Sequence, residues 1–373
     1  MLSARFKNLN PYVPGEQPKD RVYIKLNANE NPYPPSPKAV KAVSDAILSN
    51  PDRLGFYPDP DANELRDAIA HMLNETGGCF NNPHAKDELD FEITPDMIFC
   101  GNGSDEVLSF VFYSFFDSDR PVVFPNYTYS FYPVYCGYYN IPMKQVPLNT
   151  DWTLDKEKML EEANKNNTSI IFANPNAPTG IALKRSEVEE MILKAPKDKV
   201  FVVDEAYADF SDESCLPLLK KYKNLVIVRT FSKSLSFAGM RCGFVVADPK
   251  LIDAIFTVKN SFNHFPIDFV AKTAGTESCK DFSYYAENAK KVAKERDDFT
   301  SFLKAHGFFV IDSKTNFVFT KKDGIAGQKI YEAVKKAGIL IRHFNTPGIE
   351  DFVRITIGTK EQMDMLKKVM EEI

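Results

Sequence analysis

The sequence predicts an α/β fold: a large domain around a mostly parallel central sheet, followed by a smaller α+β domain. Three observations carry that prediction. From about residue 97, short apolar strands alternate with helical stretches. Those strands are apolar throughout rather than alternating, as in sheets covered on both faces. After residue 265 the texture changes to one long helical stretch, then alternating strands separated by helices.

Taken in order, residues 1–35 are irregular and rich in Asn and Pro (NLNPYVPGEQPKD, then KLNANENPYPPSP) and read as an arm or cover. SPKAVKAVSDAILS reads as a helix: Pro37 sits near its start, and Ala39, Val40, Val43, Ile47 and Leu48 form an apolar stripe. DANELRDAIAHML reads as a second. Within a large domain spanning 36–265, MIFC, PVVFP, TSIIFANP, VFVVDEAY, NLVIV and GFVVA read as strands, with SDEVLSFVFYSFF and SEVEEMILKA as helices between them. In the smaller domain, 266–373, SYYAENAKKVAKERDDFTSFLKAHG is a long helix. FFVI, TNFVFTK, ILIRHF and FVRITIG are strands, and GQKIYEAVKKAG and KEQMDMLKKVMEE are helices. No internal repeat or low-complexity segment interrupts the chain.

Composition narrows the function classes. With 373 residues, 44% hydrophobic and 26% charged, the chain can bury one large core or two lobes. Its net charge of −5 and the lack of a long Lys/Arg block argue against nucleic acid and against an acidic membrane surface. No run approaches the roughly 20 apolar residues of a membrane span. MLSARFKNLN has no apolar signal core. The six cysteines are scattered without a CxxC pair, which fits a reduced, cytoplasmic protein. The five histidines form no HExxH or HxH pattern, so no metal site is expected.

Four polar motifs sit where the central strands end, the rim at which such sheets bind ligands. GNGSDE (101–106) allows a tight turn at Gly103 and an N-cap at Ser104, beside Asp105; the N–H groups of a helix start can cradle phosphate. NPNAPTG (174–180) is a rigid turn in which Asn174 and Asn176 can offer amides. VFVVDEAYADF delivers Asp204 to a strand end, with Tyr207 three positions later. A nucleotide hydrolase also ends a strand in Asp-Glu, but it needs a GxxxxGK[ST] loop, which this chain lacks. TFSKSLSFAGMRCGF places Lys233 among small, semi-apolar neighbours, where an amine can be desolvated. Thr230, Ser232 and Arg241 supply hydroxyls and a guanidinium suited to phosphate. Each motif alone reads equally as a turn. Together they make the set that pyridoxal phosphate requires: a lysine for its aldehyde, an acid for its ring nitrogen, and donors with a cation for its phosphate.

With NANENPYPPSP, FYPDP, GNGSDE, PNYTYSFY, NPNAPTG, DEAYADF, TFSK…AGMRCGF and FVRITIGT in view, essentially the whole chain resembles the fold-type-I pyridoxal-phosphate aminotransferases. Within them it is similar to the histidinol-phosphate aminotransferases. That resemblance implies transamination between histidinol phosphate and 2-oxoglutarate, giving imidazole acetol phosphate and glutamate. It implies that Lys233 is the Schiff-base lysine, that Asp204 binds the ring nitrogen and Tyr207 the ring hydroxyl, and that Tyr127 stacks on the ring. Thr230, Ser232, Arg241 and the Ser104–Asp105 turn would hold the phosphate. Tyr57 would reach the phosphate of a partner subunit in a homodimer. Arg354 would clamp the α-carboxylate, with Tyr12 and Arg342 at the distal phosphate. The strand pattern agrees: Arg354 shares a face with Phe352 and Thr356, and Arg342 with Leu340 and Phe344. One departure stands out. The family's usual Asn before Pro-Thr-Gly is Ala177 here, leaving Asn174 or Asn176 to supply the amide. Alternatives on the same scaffold are an aromatic aminotransferase and a threonine-phosphate decarboxylase; from another class, a cofactor-binding regulator would carry an added DNA-binding segment.

Overall fold

The computed structural model describes residues 1–3, 6–7 and 9–373. The chain opens with β1 (Ile24–Lys25), α1 (Pro37–Ser49), α2 (Asn63–Thr76) and the short α3 (Ala85–Glu88). The central layer follows: β2 (Ile98–Gly101), α4 (Gly103–Phe115), β3 (Val122–Pro125), α5 (Tyr132–Tyr139), β4 (Met143–Val146), α6 (Lys156–Asn166), β5 (Ile170–Ala173), α7 (Arg185–Lys194), β6 (Phe201–Asp204), β7 (Leu225–Thr230) and β8 (Gly243–Ala247). Three helices come next, α8 (Pro249–Phe262), α9 (Phe269–Lys280) and α10 (Phe282–Ala305). The chain ends with β9 (Phe308–Ile311), β10 (Phe317–Lys322), α11 (Gly327–Lys336), β11 (Ile339–Leu340), β12 (Arg342–His343), β13 (Val353–Thr356) and α12 (Lys360–Glu371).

The central sheet has the order β2-β8-β7-β6-β5-β3-β4, and β8 alone runs antiparallel to its neighbours. Both faces are covered, which explains strands that are apolar at every position. Leu225 and Ile227 of β7 join one half of the core with Phe201 and Val203; Val226 and Val228 join the other with Val202 and Val245. The helix starts follow ordinary capping chemistry. The Ser36 side chain accepts the Lys38 N–H, with Pro37 at the first helical position, and Thr359 with Gln362 forms a capping box for α12.

A second sheet, β12-β13-β10-β9, is antiparallel. The arm is more than a cover, because β1 pairs in parallel with β11. ILIRHF, read as one strand, breaks at Ile341: β11 pairs with the arm and β12 with β13. The sequence pattern marks no element over 132–166, where α5, β4 and α6 form. α5 is aromatic all round and α6 is mostly charged, so neither shows an apolar stripe. α9, placed by its texture in the smaller domain, packs on α1 and α2 of the large layer. Its Gly275 lies against Leu65 and Phe231, where a Cβ would come within 2.9 Å of Leu65.

One polar cluster crosses this apolar interior. Arg229, in phase with Leu225 and Ile227, is 3% exposed. Its Nη1 donates to Glu205 Oε2 at 2.9 Å and to the Gly78 carbonyl at 2.8 Å; Nη2 donates to Asp209 Oδ1 at 2.8 Å. Ser214 and the Cys215 N–H complete Glu205, and Ser234 Oγ completes Asp209 at 2.5 Å. Arg229→Met removes the only cation of this cluster and strands two buried carboxylates. The urea unfolding midpoint is expected to fall by the equivalent of about 3–5 kcal/mol; wild-type stability in this variant would mean the cluster is dispensable.

Candidate active site

The parallel strands bring their carboxyl ends to one edge, and the polar motifs gather there. β6 ends on Asp204. β7 ends on Thr230, and the turn after it carries Ser232, Lys233 and Arg241. β2 ends at Gly101 and α4 starts two residues later. Together these segments line an inner cavity of about 240 Å³, to which Ser104, Asp105 and Tyr207 also contribute.

Asp204 forms its buried floor. Tyr132 Oη donates to Oδ2 at 2.9 Å and the Ala206 N–H to Oδ1 at 3.2 Å. Burial nevertheless pushes the carboxyl up to about 6, because two neutral donors do not replace water around a charge. A cationic N–H on the cavity side would favour the ionised form and offset that rise.

The opposite end is built by close approach. A Cβ at Gly243 would lie 2.5 Å from the Ser104 nitrogen, so only glycine lets the start of α4 lie against β8. The first-turn N–H groups of α4 thereby face the cavity end. Arg241 holds a left-handed backbone, φ +54. Its Nη2 donates to Asp105 Oδ2 at 2.8 Å and its Nη1 lies 3.5 Å from Ser232 Oγ. Gly103 sits beneath the guanidinium, where a Cβ would come within 2.4 Å of Nη2. Strain held at such a residue marks a position fixed for use. Between the two ends, Lys233 Nζ donates to the Ala28 carbonyl at 3.4 Å and lies 5.7 Å from the Tyr207 ring centroid.

An outer cavity of about 460 Å³ meets the inner one at Lys233, Tyr207 and Asp105. Arg342 and Arg354 line it and stand directly opposite each other in the β12–β13 register. Like charges so placed repel unless an anion lies between them. Arg354 Nη2 donates to the Asn27 carbonyl at 3.2 Å, while its buried Nε has no partner. Burial, with a smaller contribution from Arg342, pushes this guanidinium below its ordinary value. Tyr12 is at the rim, packed on Phe131.

Three expectations, for Tyr127, Asn174 and Asn176, need correction. Tyr127 lines only the outer cavity; its hydroxyl donates to the Pro347 carbonyl at 2.8 Å. Tyr129, two residues on, lines the inner cavity together with Tyr207, with its hydroxyl on Asp105 Oδ1 at 2.5 Å. Asn174 does not face the cavity, because its amide exchanges hydrogen bonds with the Leu183 backbone. Asn176 is likewise consumed by Thr128, Thr179 and the Tyr127 carbonyl. Both asparagines hold the NPNAPTG turn, and Ala177 presents a methyl at that place. Tyr57 lies outside both cavities of its own chain, 83% exposed and stacked on Phe265 at 4.6 Å.

Sequence reasoning also passed over Tyr132 and the asparagines of NANEN. Asn29 reaches Tyr207, and Asn31 Nδ2 donates to the carbonyls of Lys233 and Ser234. Their signal was composition: three asparagines in five residues, Asn27, Asn29 and Asn31, in an irregular segment whose backbone needs side-chain partners.

The donor set fits a phosphorylated aldehyde bearing a basic ring nitrogen. It offers an amine without a carboxylate partner among the described residues, a raised carboxyl at the far side, and a helix start with a strained arginine for phosphate. The orphaned Arg354 Nε fits an anion on the second substrate.

Known proteins agree with this arrangement. Residues 21–369 match the model of the family described as aminotransferase class I and II. The chain is 46% identical over 376 residues to histidinol-phosphate aminotransferase of Syntrophus aciditrophicus, covering 100% of this chain and 98% of the relative. The corresponding enzyme of Acinetobacter baylyi is 43% identical, covering 99% and 96%. Among solved structures, the fold is similar to histidinol-phosphate aminotransferase of Sinorhizobium meliloti in complex with pyridoxal-5'-phosphate (TM-score 0.85, 23% identity, 100% of this chain and 96% of that one). It is also similar to aspartate aminotransferase of Thermus thermophilus with maleate (TM-score 0.80, 19% identity, 100% and 98%). Full-length identity and a strand-edge site of matching chemistry lead to one conclusion: the chain belongs to the class I and II aminotransferase family.

Proposed function

We propose that this chain catalyses pyridoxal-phosphate-dependent transamination between L-histidinol phosphate and 2-oxoglutarate, giving imidazole acetol phosphate and L-glutamate, a step of histidine biosynthesis. The observation that carries the substrate reading is the facing pair Arg342 and Arg354 at the mouth of a cavity that holds Lys233. One partner carries a phosphate and the other two carboxylates, so each brings an anion to this pair: the distal group to Arg342, and the α-carboxylate of glutamate to Arg354. Relatives at 43–46% identity bearing the histidinol-phosphate aminotransferase name support the same reading.

Pyridoxal phosphate, when bound, supplies the carbonyl that receives the amino group and an electron sink that acidifies the substrate's α-hydrogen. Lys233 Nζ would hold its aldehyde and, as a free amine, would be the base placed to take that α-hydrogen. Asp204 keeps the ring nitrogen protonated, and Tyr132 fixes the carboxylate that does so. Tyr207 and Tyr129 take the ring oxygen and the ring face. The start of α4, Thr230, Ser232 and Arg241 hold the phosphate. Arg354 binds the α-carboxylate of glutamate, with Arg342 and Tyr12 at the distal group. Both substrates use one site in turn, so kinetics are ping-pong.

A homodimer completes the site through Tyr57. Its ring, stacked on Phe265, and the neighbouring Phe56 are both exposed on the single chain, which supports coverage by a second copy; a one-chain mass in solution by light scattering would remove this part of the proposal. Six buried free thiols support a reducing, cytoplasmic setting. No helix among the described residues is long and apolar enough to cross a membrane.

The reaction is tested in a single turnover. L-Histidinol phosphate, added without keto acid, should bleach the visible band of the lysine-bound cofactor, and 2-oxoglutarate should restore it. Lys233→Ala should lack both the band and turnover. A band that resists histidinol phosphate but yields to tyrosine or phenylalanine would move the substrate to the aromatic amino acids; carbon dioxide from threonine phosphate would replace transamination by decarboxylation. Arg354→Ala should raise KM for glutamate about 10- to 100-fold, the value of a lost charge-assisted pair. It should leave histidinol phosphate, which has no carboxylate, much less affected; equal losses would mean that Arg354 also binds the phosphate.

A further inference from the structure

Asn29 is 2% exposed and holds a left-handed backbone, φ 55, a conformation asparagine tolerates well. Its backbone N–H donates to Thr356 Oγ1 at 2.9 Å, and Asn316 Nδ2 donates to its carbonyl at 3.0 Å. Thr356 Oγ1, having accepted that N–H, donates to Asn29 Oδ1 at 3.2 Å. The amide is therefore oriented: its oxygen faces Thr356, and Nδ2 donates to Tyr207 Oη at 2.8 Å. A phenol oxygen that accepts there keeps its own proton for another partner. The open side of Tyr207 is the cavity.

We propose that Asn29 is a positioning residue of the reaction: by filling the acceptor side of the Tyr207 hydroxyl, it commits the phenol proton to the cavity, as donor to the cofactor's ring oxygen. This rests on the reading of the cavity as a pyridoxal-phosphate site. Asn174 and Asn176 are spent on the turn, and Ala177 brings no donor, so the duty falls on Tyr207. Donation to that oxygen favours its unprotonated form and keeps the pH midpoint of the bound cofactor low. The charged groups that share the cavity with Tyr207 are Lys233 from the β7 turn, Arg354 from β13, Asp204 from β6, Asp105 from α4 and Arg241 after β7, which pair with each other, and Glu30 from the arm, which is paired with Lys25.

The test is a pH titration of the visible absorbance of the resting holoenzyme. Asn29→Gly keeps the left-handed backbone while removing the amide, and Thr356→Val removes the hydroxyl that orients it. Each should raise the midpoint, Asn29→Gly by about one pH unit and Thr356→Val by less. Neither should move it further in a Tyr207→Phe background. A merely structural role would lower thermal stability without moving the midpoint. An unmoved midpoint in both variants, or a shift that persists without the Tyr207 hydroxyl, overturns the inference while the holoenzyme stays yellow. A wild-type protein that takes up no cofactor sinks the cofactor reading and this inference together.

Discussion

The active-site edge depends on a guanidinium that never reaches the cavity. Arg229, inside the core on β7, holds Glu205 and Asp209 of the loop after β6, and Asp209 in turn accepts from Ser234 of the turn after β7. Asp204 and Tyr207 flank Glu205 in sequence, and Ser234, bonded to Asp209, adjoins Lys233. The groups proposed to hold the two ends of the cofactor ring are thus referred to one buried ion cluster. Such a cluster contributes little net stability, since desolvation offsets attraction. What it supplies is a side-chain tie between the two loops beyond the end of the β6–β7 ladder. Loops alone would let these side chains drift, and catalysis tolerates little drift.

Around that fixed frame the charges are separated by task. The inner cavity holds an acid raised by burial and an arginine already paired with Asp105. The outer cavity holds two arginines with no carboxylate partner among the described residues. The inner end suits a resident group whose charges are answered permanently. The outer end suits visitors, because its unanswered charge is answered only while an anion is bound. The cost of holding two guanidiniums face to face is recovered on binding, the arrangement expected of a recognition site rather than of a structural ion pair.

The sequence made the strand ends legible because each combined an apolar run with a sharp change to polar residues. Asp204, Thr230, Lys233 and Arg241 could be placed on one edge without coordinates. The errors came where neither the helical nor the strand period applies. PNYTYSFY runs from Pro125, the end of β3, through an irregular turn to the start of α5, so nothing in its spacing tells whether Tyr127 or Tyr129 points inward. Asn174 and Asn176 looked available because a turn's own demand for hydrogen bonds cannot be seen in its composition. α9, rich in small residues, goes unread just past the boundary at residue 265; its Gly275 is explained by the close approach of Leu65 and Phe231. The arm's strand was invisible for a different reason: two residues pairing with a segment more than three hundred positions away leave no local pattern.

That pairing has a mechanical consequence. β1 is hydrogen-bonded into the C-terminal layer, and six residues beyond its end Asn31 grips the main chain of Lys233 and Ser234. Ile24 to Asn31 is therefore a tie rod between the strand ladder at one end and the nucleophile at the other. Two truncations close together in sequence become unlike lesions. Clipping the chain ahead of Ile24 trims the mouth of the cavity; clipping it after Asn31 cuts the rod and leaves the lysine's backbone unmoored.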